Sequence, residues 1–151
     1  MEQKENTVPL PADNPSAVLI QTLCARFPGR YLMIDFWGMN CGPCRYAIQQ
    51  SKKLRVEIGK RGDVKLVFIA EEHIAGGNDG YKKYVSEWLA DEETICMTKA
   101  DFIRMQELFQ FNGIPHYETI TPYGCHVCDD LRINGYGDFD EELQKLKEKL
   151  K

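Results

Sequence analysis

The sequence Cys41-Gly42-Pro43-Cys44 sits at a junction that narrows the choice of fold. Immediately upstream, residues 31–37 form a nearly continuous apolar run, Tyr-Leu-Met-Ile-Asp-Phe-Trp, between turn signals. Such a run suits a strand buried on both faces of a parallel or mixed sheet. Downstream, the pattern predicts a helix from just past Asn40 to about residue 60, ending at Lys60-Arg61-Gly62. The two cysteines therefore fall where a buried strand hands over to a helix. A Cys-x-x-Cys spacing alone serves zinc as readily as redox chemistry, but in this strand-to-helix context it reads as redox.

The physical reason lies in the nucleophile. Disulfide exchange proceeds through a thiolate, and a free cysteine with a pKa of about 8.5 is mostly protonated near neutrality. A helix N-terminus offers unpaired amides and the positive end of the macrodipole, which favour the anion. Cys41 is placed to be that anion, with Arg45 adding a nearby positive charge. The spacing wraps Cys44 one turn back against Cys41. Gly42 permits the tight turn, and Pro43 fits a first turn because it has no amide proton to lose. Asp35 lies within the predicted strand, where burial would raise its pKa and let it exchange a proton with Cys44.

Strands and helices alternate through the rest of the chain, arguing α/β with a mixed sheet. Residues 1–15 hold three prolines and no apolar periodicity, and read as a flexible lead-in to one domain over 16–151. Asn14-Pro15 is a helix start, with Val18, Leu19, Leu23 and Phe27 expected on its apolar face. A second buried strand is predicted over 64–70, a loop over 71–80, a helix over 81–90 and a short strand over 94–97. Thr98 with Asp101 resembles a capping box. A strand over 117–120, a Pro122-Tyr123-Gly124 turn, a returning strand and a final helix bearing Phe139, Leu143, Leu146 and Leu150 complete the chain. At 151 residues, one hydrophobic core is the expectation. A net charge of −4 lacks the basic stripe of a nucleic-acid binder. No apolar run approaches the length of a membrane span, and residues 1–6 carry no signal-peptide pattern.

Residues 35–45, Asp-Phe-Trp-Gly-Met-Asn-Cys-Gly-Pro-Cys-Arg, resemble the active-site segment of thioredoxins. Gly113-Ile114-Pro115, about 70 residues on and before a strand, resembles the cis-proline loop of that superfamily. Within it the chain is most similar to TlpA/ResA-like thiol–disulfide oxidoreductases. The resemblance implies a thioredoxin fold: a central mixed β-sheet flanked by helices, with an extended segment between the active-site half and the cis-proline half. It implies a protein-disulfide reductase in which Cys41 attacks, Cys44 resolves and the pair cycles through a redox-active disulfide. Trp37, Gly42, Pro43, Ile114 and cis-Pro115 would meet an extended substrate strand. The implied partners are protein disulfide substrates and an upstream thiol electron donor. The implied state is a monomer with no metal, nucleotide or organic cofactor, placed outside the cytoplasm in the periplasm or cell envelope, with a role in redox homeostasis.

Four positions depart from that pattern. Asn40 stands where tryptophan is usual, Gln49 where a helix-kinking proline is common, and His116 where threonine follows the cis-proline. Asp35 is the thioredoxin choice, whereas TlpA-like relatives often place asparagine there and a glutamate elsewhere; Glu71 or Glu72 could take that second part. The remaining cysteines read differently from the first pair. Cys125 and Cys128 lie in a predicted strand, where positions three apart are roughly 10 Å apart and face opposite sides. A disulfide needs Cα atoms within about 7 Å, so no bond or metal is expected there. Cys24 and Cys96 read as small apolar fillers. Two rival readings are a peroxiredoxin-like thiol peroxidase, disfavoured by the dithiol, and a non-catalytic interaction module of a larger protein.

Overall fold

The computed structural model describes residues 7–10, 14–71, 78–127 and 136–150. Local signals set several of its helix starts. Asn14 caps α1 (Pro15–Arg26), its side chain accepting from the amides of Ser16 at 2.8 Å and Ala17 at 3.2 Å. The buried stripe of α1 is Ala17, Ile20 and Leu23. Val18, expected on the apolar face, is exposed, because the 17/20/23 spacing defines a different stripe. Thr98 caps α5 (Lys99–Phe109) by accepting from the Asp101 amide at 3.2 Å.

The strands are β1 (Thr7–Pro9), β2 (Tyr31–Trp37), β3 (Val64–Glu71), β4 (Glu93–Met97), β5 (His116–Ile120) and β6 (Cys125–Val127). Among the described residues they form a six-stranded sheet in the order β1-β6-β5-β2-β3-β4. It is mixed: β3 and β4 run parallel, while β6 is antiparallel to both β5 and β1. This is the thioredoxin fold. The remaining helices are α2 (Gly42–Gln50), α3 (Lys52–Gly59), α4 (Asn78–Trp88) and α6 (Tyr136–Lys149).

Two further expectations need correction. The stretch read as a flexible lead-in contains β1, whose register pairs Thr7 with Val127 and Pro9 with Cys125. A three-residue edge strand has no periodicity to read; its partner, more than a hundred residues away, defines it. The single helix expected over 41–60 is two, separated at Ser51. The Ser51 hydroxyl donates to the Ile48 carbonyl at 3.1 Å and competes with the helical ladder there, so the break needs no proline.

The described residues pack as two compact units. One draws on Met1–Leu32, Lys53–Lys65 and Glu118–Lys151, the other on Met33–Lys52 and Leu66–Tyr117. The first unit buries Ile20, Leu23, Ile58, Ile120, Phe139 and Leu143. It also holds an ionic clasp. Arg61 grips Asp63 with two parallel bonds of 2.8 and 2.9 Å and reaches Asp140 on α6 at 2.5 Å. Lys147, also on α6, meets Asp63 at 2.6 Å. These bonds hold the Asp63 carboxyl well below the usual carboxylate range: the Arg61 hydrogen bonds come first, outweighing the opposing effect of burial, and Lys147 adds to them. The second unit buries Ile34, Phe36, Trp37, Ile48, Ile69 and Phe102, and carries the Cys-x-x-Cys turn.

Candidate active site

The end of β2 delivers the chain into a turn in which the Cys41 amide donates to the Gly38 carbonyl at 3.1 Å. Cys41 is the N-cap of α2. Its sulfur accepts from the Cys44 amide at 3.2 Å, the place a serine or aspartate oxygen takes in ordinary helices. Pro43 occupies the first helical turn, where a missing amide costs nothing. Cys41 and Cys44 are joined by a disulfide, with Cα atoms 5.2 Å apart. The two sulfurs differ in access. Cys44 is 1% exposed, Cys41 is half-buried, and Gly42 and Pro43 beside them face solvent. An incoming nucleophile or disulfide therefore meets Cys41 first.

The second strand of chain at the site is the Ile114–Pro115 segment, whose peptide bond is cis. The Ile114 carbonyl oxygen lies 3.7 Å from the Cys41 sulfur. Ile114 and Pro115 are half-buried, so this edge retains a solvent-facing side. Beneath it is a pile of rings. His116 stacks on Phe111 with centroids 4.1 Å apart and planes at 9°, and Phe111 leans on Phe36 at 4.7 Å. Phe36 also meets Phe102 edge-on at 5.9 Å. Phe111 reaches this place because Gln110 ends α5 in the left-handed region, at φ 55°. That conformation costs a non-glycine residue about 1–2 kcal/mol.

Strand alternation puts Asp35 and Trp37 on the face of β2 opposite Phe36. Asp35 is half-buried, less enclosed than its strand neighbours, with Oδ1 buried. Tyr117 lies close enough to feel it. The Tyr117 phenol is pushed up to about 12, first by burial and then by the Asp35 charge. Trp37, expected to meet substrate, is instead 0% exposed. Tyr81 stacks on it at 5.7 Å and Tyr84 leans on it, tilted, at 5.4 Å, so α4 lies over the ring. The Tyr84 hydroxyl continues to the Arg45 carbonyl, donating at 3.3 Å, and so ties α4 to the first turn of α2. Glu71, at the end of β3, is buried. Glu71 Oε1 and Trp37 Nε1 have no hydrogen-bond partner among the described residues.

The structure thus brings Cys41, Gly42, Pro43, Cys44 and Ile114 together, with Pro115 following Ile114 and Asp35 in the strand that leads into the turn. It removes Trp37 from the accessible set. The sequence reading missed Tyr84, Tyr117 and Phe111. In sequence, Tyr81, Tyr84 and Trp88 have the spacing of one face of an amphipathic helix, and that spacing gives no hint that the face covers Trp37. Glu72 and Cys128 lie outside the described residues. Among those residues, no group of three or more His, Cys, Asp or Glu side chains could hold a metal ion. No helix among them is long and apolar enough to cross a membrane.

No family model and no curated protein matches the sequence. Solved structures do match the fold. The thioredoxin domain of a thiol-disulfide oxidoreductase from Bacteroides vulgatus superposes with a TM-score of 0.63 at 23% identity, over 81% of this chain and 82% of that one. A thiol-disulfide oxidoreductase from Bacteroides fragilis gives 0.62 at 20% identity, over 80% and 84%. A thiol:disulfide interchange protein of the thioredoxin family from Chlorobium tepidum gives 0.60 at 20% identity, over 80% and 82%.

Proposed function

We propose that this protein is a thiol–disulfide oxidoreductase that reduces protein disulfides by dithiol exchange through Cys41 and Cys44. One observation carries the reading: a half-buried sulfur at a helix N-terminus is bonded to a buried one in the next turn, beside a backbone carbonyl at 3.7 Å. That arrangement separates an attacking thiol from a resolving thiol. The neighbouring folds are consistent with it.

In the reduced protein, the Cys41 thiolate attacks one sulfur of a substrate disulfide. A Cys41–substrate bond forms, and the other substrate sulfur leaves as a thiolate that takes a proton from water. Cys44 then loses its proton to Asp35 and attacks the Cys41 sulfur. The Cys41–Cys44 bond forms as the second substrate thiolate departs. Two electrons have passed to the substrate, and an upstream dithiol donor returns the enzyme to its starting state. Gly42, Pro43, Ile114 and Pro115 line the approach, where the Ile114 backbone meets an extended substrate segment. Reduction is the favoured direction because Gly42-Pro43 and Ile114 match the reducing members of the resembled superfamily. The same resemblance supports an extracytoplasmic setting and a monomeric enzyme.

A Cys44→Ala variant tests this reading. It should accumulate mixed disulfides through Cys41 when exposed to disulfide-bonded proteins, and each should be released by dithiothreitol. A wild-type protein that fails to reduce insulin with a dithiol donor, and a variant that traps nothing, would overturn it.

A further inference from the structure

A second pair of thiols lies in the first unit, away from the Cys41–Cys44 turn in sequence and unused by the mechanism. Cys24 is on α1 and Cys125 opens β6; both are free thiols. The register between helix and strand is fixed one turn earlier. Gln21 donates from Nε2 to the Gly124 carbonyl at 3.1 Å. The approach is close: Gly124 has φ +82°, and a Cβ built on it would sit 2.9 Å from Gln21 Nε2. The positive φ favours glycine there, and any side chain would press on the end of Gln21. Residues three apart on a helix are neighbours on its surface, so Cys24 lies one turn on from Gln21 along α1, and Cys125 is the residue that follows Gly124 into β6. The Cys24 thiol is pushed up first by burial and then by the nearby Cys125.

We propose that Cys24 and Cys125 are a second redox site, a thiol pair that closes into a disulfide joining α1 to β6 when a small-molecule disulfide is supplied. Access assigns the order of events. Cys24 is half-buried and Cys125 is buried, so Cys24 is the thiol an external reagent reaches. The Cys24 thiolate attacks the reagent's disulfide, and one reagent thiolate leaves. Cys125 gives its proton to solvent and attacks the Cys24 sulfur, releasing the second reagent thiolate. The protein loses two electrons and two protons; the reagent gains them as two thiols. The linkage spans most of the chain, so it would restrict the unfolded state strongly.

The test uses the full chain with Cys41→Ser and Cys44→Ser, which removes the first pair from the count. The protein is held with oxidised glutathione in mildly alkaline buffer, then unfolded, alkylated and mapped by mass spectrometry. The expected result is the loss of two alkylatable thiols, a peptide linking Cys24 to Cys125, and a thermal midpoint raised until dithiothreitol is added. Adding Cys24→Ser or Cys125→Ser should abolish the linked species, whereas Cys96→Ser or Cys128→Ser should leave it. Cys24→Ala is a second form of the helix variant, should serine disturb packing. Persistent alkylation of both residues, a glutathione adduct on Cys24 that never closes, or a cross-link that survives Cys24→Ser would each overturn the proposal.

Discussion

The Arg61–Asp63 clasp and the Cys41–Cys44 turn both place ionisable groups next to strand ends, and they treat them in opposite ways. In the clasp, both oxygens of Asp63 are engaged, by the two-pronged Arg61 and by Lys147, and the carboxyl is held strongly ionised. In the second unit, Asp35 Oδ1 and Glu71 Oε1 are buried, and the Tyr117 phenol is driven up to about 12, first by burial and then by the Asp35 charge. A saturated carboxylate is a fixed charge that orients its neighbours. The part proposed for Asp35 needs the contrary, a carboxylate that takes up a proton as the resolving thiol attacks. The same residue type is thus a fixed charge in one unit and, in the proposed cycle, a proton acceptor in the other.

The largest expected contrast comes from Cys41→Ser. Insulin reduction should fall to background, while far-ultraviolet circular dichroism and the thermal midpoint of the reduced protein stay near the parent's. Residual turnover would move the attacking role elsewhere.

Trp37→Ala should come next, as a stability effect of about 3–5 kcal/mol, because it empties a site enclosed by Tyr81 and Tyr84. Urea unfolding measures it. Trp37→Phe should recover much of the loss, and its KM should stay near the parent value. A raised KM with unchanged stability would restore Trp37 to the substrate-facing set.

Asp35→Asn sharpens the comparison directly. Resolution of the mixed disulfide should slow by about 10²-fold, the scale of positioned proton transfer, while the first attack by Cys41 is spared. Single-turnover kinetics separates the two steps. Equal slowing of both, or of neither, would leave Asp35 outside the proton path.

The smallest effect is expected in the clasp. Asp63→Asn should destabilise the fold by about 1–2 kcal/mol at neutral pH, discounted for a partly exposed carboxyl. The folded pKa of Asp63 lies below its unfolded value of about 3.9. Its contribution is therefore complete above that value and is lost as the pH falls through it toward the folded pKa. Urea melts of parent and variant should differ at pH ~7 and converge in strong acid. A gap that widens with acidity would contradict the assignment.

Legibility in the sequence followed the range of the interaction. The Asn14 and Thr98 caps, the buried β2 run and the Cys-x-x-Cys turn were readable because each depends on residues within a few positions. Strand β1 was not, since three residues with a proline become a strand only through a partner at 125–127. The clasp joins residues 61 and 63 to 140 and 147, and no local pattern announces it. Trp37 was misassigned for a similar reason: the helix that covers it begins some forty residues later. The break at Ser51 is the exception, a local hydroxyl effect that a search for proline overlooks. Gln110 also escaped notice, because a left-handed helix end is expected at glycine or asparagine.

One consequence follows from the sulfur that caps α2. The Cys44 amide is held by the Cys41 sulfur, and in the proposed cycle that atom alternates between a neutral, weakly accepting sulfur in the disulfide and a thiolate, a stronger acceptor, when it attacks. The helix is therefore fastened more firmly in one half of the cycle than in the other. The Cys44 amide becomes a built-in gauge of oxidation state. Its nitrogen chemical shift and its hydrogen-exchange rate should report which form a population holds, with no label placed on either thiol.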